Sequence, residues 1–199
     1  MKKAIISRYE RTENNEVIID ASIRTVEDLY NNFDRTAPYL KKDLEQEFVD
    51  YMIECVREIG RTDFIIRISL LNMPDKMVME RVRRSVRTFF QYLQETEKRA
   101  LRTMFRRSLV LFVIGIALLA LAIVTTRQLS SSQGVLAEVF AQGLTVAAWV
   151  SLWEAIANLF LEWYPHRQEI KIYSQVMNAQ VTFRHLTNNE DLDERHTAQ

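Results

Sequence analysis

The stretch SLVLFVIGIALLALAIVTT, residues 108–126, decides the fold because it contains 19 residues without a charged side chain. As an α-helix it would rise about 28 Å, which is close to the thickness of the hydrocarbon core of a bilayer. A core helix of a soluble protein can also be apolar, but it is rarely this long and this uniform. Residues 108–126 are therefore predicted to form transmembrane helix 1.

A second apolar stretch follows after a short polar segment. RQLSSSQG, residues 127–134, is predicted to be a short external loop, and residues 135–163 are predicted to form transmembrane helix 2 with a cytoplasmic extension. A connection this short joins antiparallel neighbours. The two stretches are therefore expected to form a transmembrane hairpin.

The distribution of Lys and Arg predicts the orientation of this hairpin. The loop contains only Arg127, whereas the ten residues before the first span contain five basic side chains. Basic residues are retained on the cytoplasmic side, so we expect a multi-pass protein of the cell inner membrane with both termini in the cytoplasm. The side chains expected to anchor the inner membrane interface are Arg102, Arg106, Trp163 and Tyr164.

Polar residues of the second span predict how the two helices face each other. A connection centred on residues 130 and 131 would pair positions whose numbers add up to 261. Glu154, spaced four residues from Asn158, would then lie level with Arg107, and Glu162 with Arg99. Structural ion pairing along this face is the first interpretation, because an unpaired carboxylate in hydrocarbon costs about 2.5–3.5 kcal/mol. An ion path lined by Glu154 is the alternative.

A second polar stripe lies toward the outer leaflet and consists of Glu138, Gln142 and Thr145. One interpretation is a helix–helix contact in which Gly143 and Ala147 allow close approach. The other is the lining of a pore in an oligomer.

The fold class expected overall is an α+β membrane protein, in which a long continuous helix enters the membrane from a cytoplasmic domain. Residues 1–107 are predicted to form this domain, including a long basic helix over 75–107. Its small β-sheet would contain a hairpin plus two further strands. The expected elements are the hairpin of 4–10 and 16–23, a short helix opened by Thr25, a helix over 38–59, a strand over 64–71, a helix and strand within 164–186 that join the same domain, and a disordered tail over 187–199.

The charge balance bears on the partners. Lys and Arg together number 26, as do Asp and Glu, so the formal net charge is zero. Residues 75–107 are locally basic, with ten Lys or Arg against four acidic residues. No nucleic-acid-reading motif accompanies this charge, so we expect anionic lipid of the cytoplasmic leaflet as the partner and no nucleic acid.

Motifs for catalysis, metals or cofactors are not found in the sequence. The four glycines are scattered, which excludes a phosphate-binding loop, and the lone Cys55 lies on the apolar face of a predicted helix. The histidines, His166, His185 and His196, do not have metal-ligand spacing. We therefore expect a non-enzymatic protein without a cofactor, metal or catalytic residue.

The run AAWVSLWEAIANLFLEWYPHRQEIKIYSQV, residues 147–176, resembles the second span of small two-span bacterial membrane proteins of unknown function. In both, a Trp-rich span ends at an aromatic residue followed by proline, and a basic helix follows. The resemblance implies a bacterial inner-membrane protein and no activity. The residues that carry it are Trp149, Trp153, Trp163, Tyr164, Pro165 and Arg167.

Two functions from different classes follow from these patterns. The first is a homo-oligomeric scaffold or partner-binding module that displays a cytoplasmic domain, because a two-helix span alone has little internal core. The alternative is an oligomeric ion channel lined by the polar stripe of the second span. A sensor that couples a cytoplasmic ligand to the membrane through the long helix is a third hypothesis.

Overall fold

The chain is mostly helical, with a small three-stranded sheet and two long apolar helices. The computed structural model describes residues 6–31, 43–129 and 135–186. Two compact units divide the chain: unit 1 comprises Met1–Gln94 and Lys171–Gln199, and unit 2 comprises Glu95–Ile170. The elements are β1 (Val17–Ile23), a 3-10 helix (Val26–Leu29), α1 (Gln46–Ile59), β2 (Phe64–Leu70), α2 (Lys76–Leu129), α3 (Val135–Asn178) and β3 (Gln180–His185).

All three strands of unit 1 run parallel in the order β1, β2, β3. Parallel neighbours need a crossover connection, which α1 provides between β1 and β2. Between β2 and β3 the crossover consists of α2 and α3 together. The strand that follows α3 therefore returns to the same sheet as the N-terminal part of the chain.

The core of unit 1 lies against one face of this sheet. Alternate residues of β1 and β2 are buried, as the period of two in a strand requires. The helices contribute apolar residues spaced three or four apart, which fall on one helix face. The fully buried large side chains include Ile19, Ile66, Ile68, Leu70, Met52, Val56, Val82, Val86, Phe90 and Val176.

The predicted N-terminal hairpin forms only in part within the described residues. A turn follows Thr12, with Asn15 at φ 66°, and antiparallel pairing is limited to one isolated bridge between Arg11 and Val17, flanked by hydrogen bonds from the backbone N–H of Thr12 to Glu16 and from that of Ile18 to Glu10. The described residues before the turn form no strand of the sheet, and two of their side chains bind to other elements: Tyr9 to Glu58, and Glu10 to Arg67. Residues 4 and 5 lie outside the described ranges.

Helix boundaries also differ from those predicted. Helix α1 begins at Gln46, and residues 38–42 lie outside the described part of the chain. Helix α2 continues beyond Thr126 to Leu129, so the first residues of the predicted loop are helical. Helix α3 continues through Pro165, whose missing N–H removes one hydrogen bond without ending the helix. The rest of the predicted loop, 130–134, and the tail, 187–199, are not described.

Small residues form the contact between the antiparallel helices of unit 2. On α2 the buried positions Ser108, Gly115 and Ala122 are spaced seven apart, and on α3 so are Ala141, Ala148 and Ala155. A Cβ on Gly115 would lie 2.8 Å from Cγ of Leu152 and 3.2 Å from its backbone nitrogen, so the helices approach closely there. Gly143 has open space around it and does not provide the close approach expected of it.

Candidate functional site: the apolar surface of the helical hairpin

The largest functional feature of unit 2 is its exposed apolar surface. Two helices, over Lys76–Arg127 and Glu138–Asn178, are long and apolar enough to cross a membrane. Only 11% of the most apolar window of each helix is buried, unlike the core helix of a soluble protein. Because the contact between the helices uses small residues, the large apolar side chains point outward. Those exposed include Leu109, Val113, Ile116, Leu121, Phe140, Val146, Trp149, Trp153, Phe160 and Leu161.

One flank of α3 combines exposed aromatic residues with an exposed amide. Gln142, Trp149, Trp153 and Phe160 recur at intervals of seven, four and seven residues, which places them on one helix face. Trp153 is 72% exposed and Phe160 is 71% exposed. This flank lies beside the stripe of small residues on α3, and its exposed side chains are not part of the contact with α2.

The predicted outer polar stripe consists of residues with different environments. Glu138 and Gln142 are exposed, as a lining would require. Thr145 is half-buried, and its hydroxyl donates to the backbone carbonyl of Ala141 at 3.0 Å. A threonine bound to its own helix in this way offers less to an ion or a partner. The pore lining stays a prediction that rests on Glu138 and Gln142.

The contacts between the helices differ from the predicted register. The numbers of the residues in contact add up to 263 for Glu97 with His166 and to 267 for Gly115 with Leu152, instead of 261. The cause lies at the helix ends: α2 ends at Leu129 and α3 begins at Val135, so the connection is centred near residue 132.

The predicted ion pairing does not follow from this register. Ala155 faces α2, so Glu154 is turned about 100° away from that contact. Glu154 is exposed, and among the described residues no ion pair joins it to Arg107. Asn158 does line the same cavity as Arg107. The side chain of Glu162 is not described, so its pairing with Arg99 stays a prediction.

An unpredicted contact joins the helices at the end of the hairpin that is remote from the connection. Nδ1 of His166 lies 2.5 Å from Oε1 of Glu97, and both side chains are mostly buried. Their numbers add up to 263, so a search within two residues of the predicted register would have found the contact. The carboxylate fixes the imidazole proton on Nδ1.

The predicted interface anchors are exposed. Arg102, Arg106 and Tyr164 are accessible along the inner part of the hairpin. The guanidinium carbon of Arg167 lies 4.7 Å from the centre of the Trp163 ring, a cation–π contact. The predicted interface anchors are therefore accessible to a surface outside the chain.

A polar cluster in unit 1 was also missed. Arg67 on β2 binds Asp20 on β1 at 2.7 Å and Glu10 at 2.6 Å, and the Ser69 hydroxyl donates to Asp20 at 2.9 Å. The hydrogen bond to Asp20 raises the pKa of the Arg67 guanidinium above its ordinary value, although desolvation opposes this. Asp20 and Arg67 are register partners, so a parallel pairing of these strands would have predicted the contact.

Beside this cluster is a cavity of about 610 Å³. The Tyr9 hydroxyl donates to Oε2 of Glu58 at 2.7 Å, and burial, followed by this bond, raises the pKa of Tyr9 above its usual value. Burial also raises the pKa of Cys55, which keeps this thiol protonated at neutral pH. The cavity therefore has a neutral phenol and thiol beside carboxylates and a permanently charged guanidinium.

Comparisons with known proteins do not add a family: no family model, curated protein or solved structure matches the chain. Within 6–31, 43–129 and 135–186, no group of three or more His, Cys, Asp or Glu side chains could hold a metal ion. The resemblance to two-span bacterial membrane proteins stays a prediction.

Proposed function

We propose that this chain is an integral membrane protein that crosses the bilayer twice through α2 and α3. It acts as a non-enzymatic scaffold that displays unit 1 in the cytoplasm. The exposed apolar surface of unit 2 carries the proposal. In water, that surface would lose about 25 cal/mol for every Å² left unburied, whereas in lipid it is the solvated surface.

Charge at both ends of the apolar stretch supports the proposed depth. Residues 108–126 of α2 lie between Arg107 and Arg127, and residues 139–153 of α3 lie between Glu138 and Glu154. In this proposal the two carboxylates lie near opposite ends of the membrane segment, where a charge costs less than at the bilayer centre. The inner end carries the basic cluster, so both termini are cytoplasmic in this proposal.

The aromatic flank of α3 supports self-association. Gln142 lies four to five residues inside the proposed outer boundary, where its amide needs a hydrogen-bonding partner in the absence of water. A second copy of the chain supplies one if the two flanks pack together. The proposed scaffold is therefore homo-oligomeric, with the aromatic residues around Gln142 completing the contact.

Labelling of two introduced cysteines tests the topology. In a Cys55→Ala background, Arg127→Cys lies at the proposed outer end of α2, and Glu13→Cys lies in an exposed turn of unit 1. In bacterial spheroplasts, a membrane-impermeant maleimide should label Arg127→Cys at once and Glu13→Cys only after permeabilisation. Equal labelling of both before permeabilisation, or release of the protein by alkaline carbonate, contradicts the proposal.

An oligomeric channel is the second candidate, favoured by the exposure of Gln142 and Glu138 on one part of α3. Native mass spectrometry from a mild detergent gives the assembly mass, and ion flux into proteoliposomes tests conduction. A channel predicts a single larger stoichiometry and a flux that Gln142→Leu changes. A scaffold predicts no flux above that of empty vesicles. A monomer or dimer excludes a pore made by this chain alone, since two to four helices provide little lining.

A further inference from the structure

At the inner end of the hairpin, α2 and α3 enclose a cavity of about 370 Å³. It lies wholly within unit 2. Its lining is rich in hydrogen-bond donors, and the two apolar residues in its wall are Ala100 and Met104. The side chains that matter are Thr103, Met104, Arg107, Ser108, Asn158 and His166.

Ser108 makes this cavity different from an ordinary groove between helices. Its side chain is 4% exposed, and its Oγ is buried without a hydrogen-bond partner. Helical hydroxyls usually donate to the carbonyl four residues earlier, as Thr103 does to Arg99 at 3.0 Å. A buried hydroxyl that forgoes this bond carries a desolvation cost, which a ligand that accepts its proton removes.

The neighbouring groups favour an anion as that ligand. Arg107 contributes a guanidinium that forms no ion pair within the described residues, and Asn158 contributes an amide donor. No described carboxylate lines the cavity, and Glu97, whose partner His166 does line it, is bound to Nδ1 of that histidine at 2.5 Å. Arginine and hydroxyl donors converging on one cavity suit the oxygens of a phosphate group.

Depth decides which phosphate is available. With the hydrocarbon boundary at Ser108, the headgroup layer occupies about 5–7 Å, or about four helical residues, on the cytoplasmic side. Met104 to Arg107 lie within that layer, and Thr103 lies at its edge. The apolar surface that begins at Leu109 is exposed directly beyond the cavity and can contact acyl chains.

We propose that this cavity binds the phosphate headgroup of an anionic phospholipid from the cytoplasmic leaflet. Arg107 and the Ser108 hydroxyl donate to the phosphate oxygens, and Asn158 adds a third donor from α3. The lipid would thereby join the two helices at the point where they leave the membrane. This inference rests on the proposed membrane function.

Lipid binding to the intact protein tests the site. Native mass spectrometry of the detergent-solubilised chain, titrated with phosphatidylglycerol, gives the affinity for each variant. Arg107→Gln should weaken binding about tenfold, the loss expected for a charge-assisted hydrogen bond. The matched control is Arg127→Gln, which removes an exposed charge at the opposite end of the membrane stretch of α2, outside the cavity, and should change the affinity less than twofold. Equal losses in the two variants overturn the site.

Ser108→Ala separates binding from folding. Removing an unpartnered buried hydroxyl should leave the melting temperature unchanged or raise it, while lipid affinity falls several-fold. A merely structural serine would not lower lipid affinity without loss of stability. Unchanged affinity of this variant therefore contradicts the proposal.

Competition distinguishes the two sources of phosphate. Phosphatidylglycerol should bind more tightly than phosphatidylcholine, and millimolar inorganic phosphate should not displace it. Displacement by inorganic phosphate, with the same dependence on Arg107, assigns the site to a soluble anion and overturns the lipid proposal.

Sedimentation with vesicles distinguishes failure of the site from failure of the proposed membrane function. If the proposed membrane function is wrong, the wild-type chain will not sediment with vesicles of any composition. If only the site fails, the chain sediments but Arg127→Gln and Arg107→Gln behave alike.

Discussion

The two units of this chain bury opposite kinds of side chain. Unit 1 buries large apolar residues such as Ile19, Met52 and Phe90. Unit 2 buries mainly small residues such as Gly115, Ala148 and Ala155, with Met104 as a large exception, and leaves most of its large apolar residues exposed. Hydrophobicity alone therefore does not identify the buried positions, because in unit 2 most of them have small side chains.

The proposed membrane function explains this contrast by a different solvent around each unit. In water, burial of large apolar side chains is the main driving force for folding, which fits unit 1. Between helices in lipid that force is weak, and close approach of small residues provides packing instead. Each of the following variants disrupts the packing or the polar contacts of one unit.

The largest effect is expected from Phe90→Ala in the core of unit 1. Phe90 is 0% exposed, and deleting its ring should lower the free energy of unfolding by about 3–5 kcal/mol. Tyr92→Ala is the matched control, because Tyr92 is an aromatic residue on the same helix that is 61% exposed. Calorimetry in detergent measures both melting temperatures, and similar losses would show that this core is not packed as described.

A smaller loss is expected from Arg67→Met. The variant leaves the carboxylate of Asp20, which is 13% exposed, without its cation, and should cost about 1.5–3 kcal/mol. Arg8→Met removes an exposed arginine at the same cavity and should have little effect. Urea titration followed by circular dichroism compares the two, and equal stabilities would remove the polar cluster from the account of unit 1.

The contact in unit 2 is tested by two glycines with different surroundings. Gly115→Ala forces a Cβ against Leu152 and should destabilise the hairpin by about 1–3 kcal/mol. Gly143→Ala meets open space and should be neutral or stabilising, because alanine favours helix. Resistance of the hairpin to denaturation by sodium dodecyl sulfate ranks the two variants. The reverse ranking would mean that the helices contact through another face.

The smallest effect is expected from Tyr9→Phe. Losing the hydrogen bond to Glu58 should cost about 0.5–1.5 kcal/mol at neutral pH. Because folding raises the pKa of Tyr9 above its unfolded value of 10.0, the stabilisation is fully present below pH 10 and declines above it. The stability of the wild-type chain relative to Tyr9→Phe should therefore shrink between pH 10 and 11. A difference that grows over this interval has the wrong sign and contradicts the assignment, and Tyr92→Phe, which alters an exposed phenol, should show no such change.

The sequence predicted the helices and strands better than it predicted which of them pair or pack together. The β-branched run at 64–70 and the short connection between apolar stretches identified β2 and the helical hairpin, because both signals are local. The parallel pairing of β1 with β2 was not predicted, because their paired residues lie 47 positions apart, as Asp20 and Arg67 do, and no local pattern reports such a contact.

The register of the hairpin shows how a small error propagates. Taking the loop as 127–134 set the centre of the connection about one and a half residues too early, since α2 extends to Leu129. Successive residues of an α-helix differ in direction by about 100°, so an error of one position places a residue on the wrong helix face. This is why Glu154 points away from α2 while Ala155 faces it. The Glu97–His166 contact was missed for the same reason.

Tryptophan fluorescence tests the central claim most directly, because all three tryptophans, Trp149, Trp153 and Trp163, belong to unit 2. The wild-type protein is reconstituted into vesicles of brominated and of unbrominated phosphatidylcholine, and aqueous acrylamide is titrated into the unbrominated sample. If the exposed surface of α3 lies in the bilayer, brominated lipid quenches most of the emission and acrylamide quenches little. Strong quenching by acrylamide with no effect of brominated lipid would show that this surface lies in water, and the membrane account would be wrong.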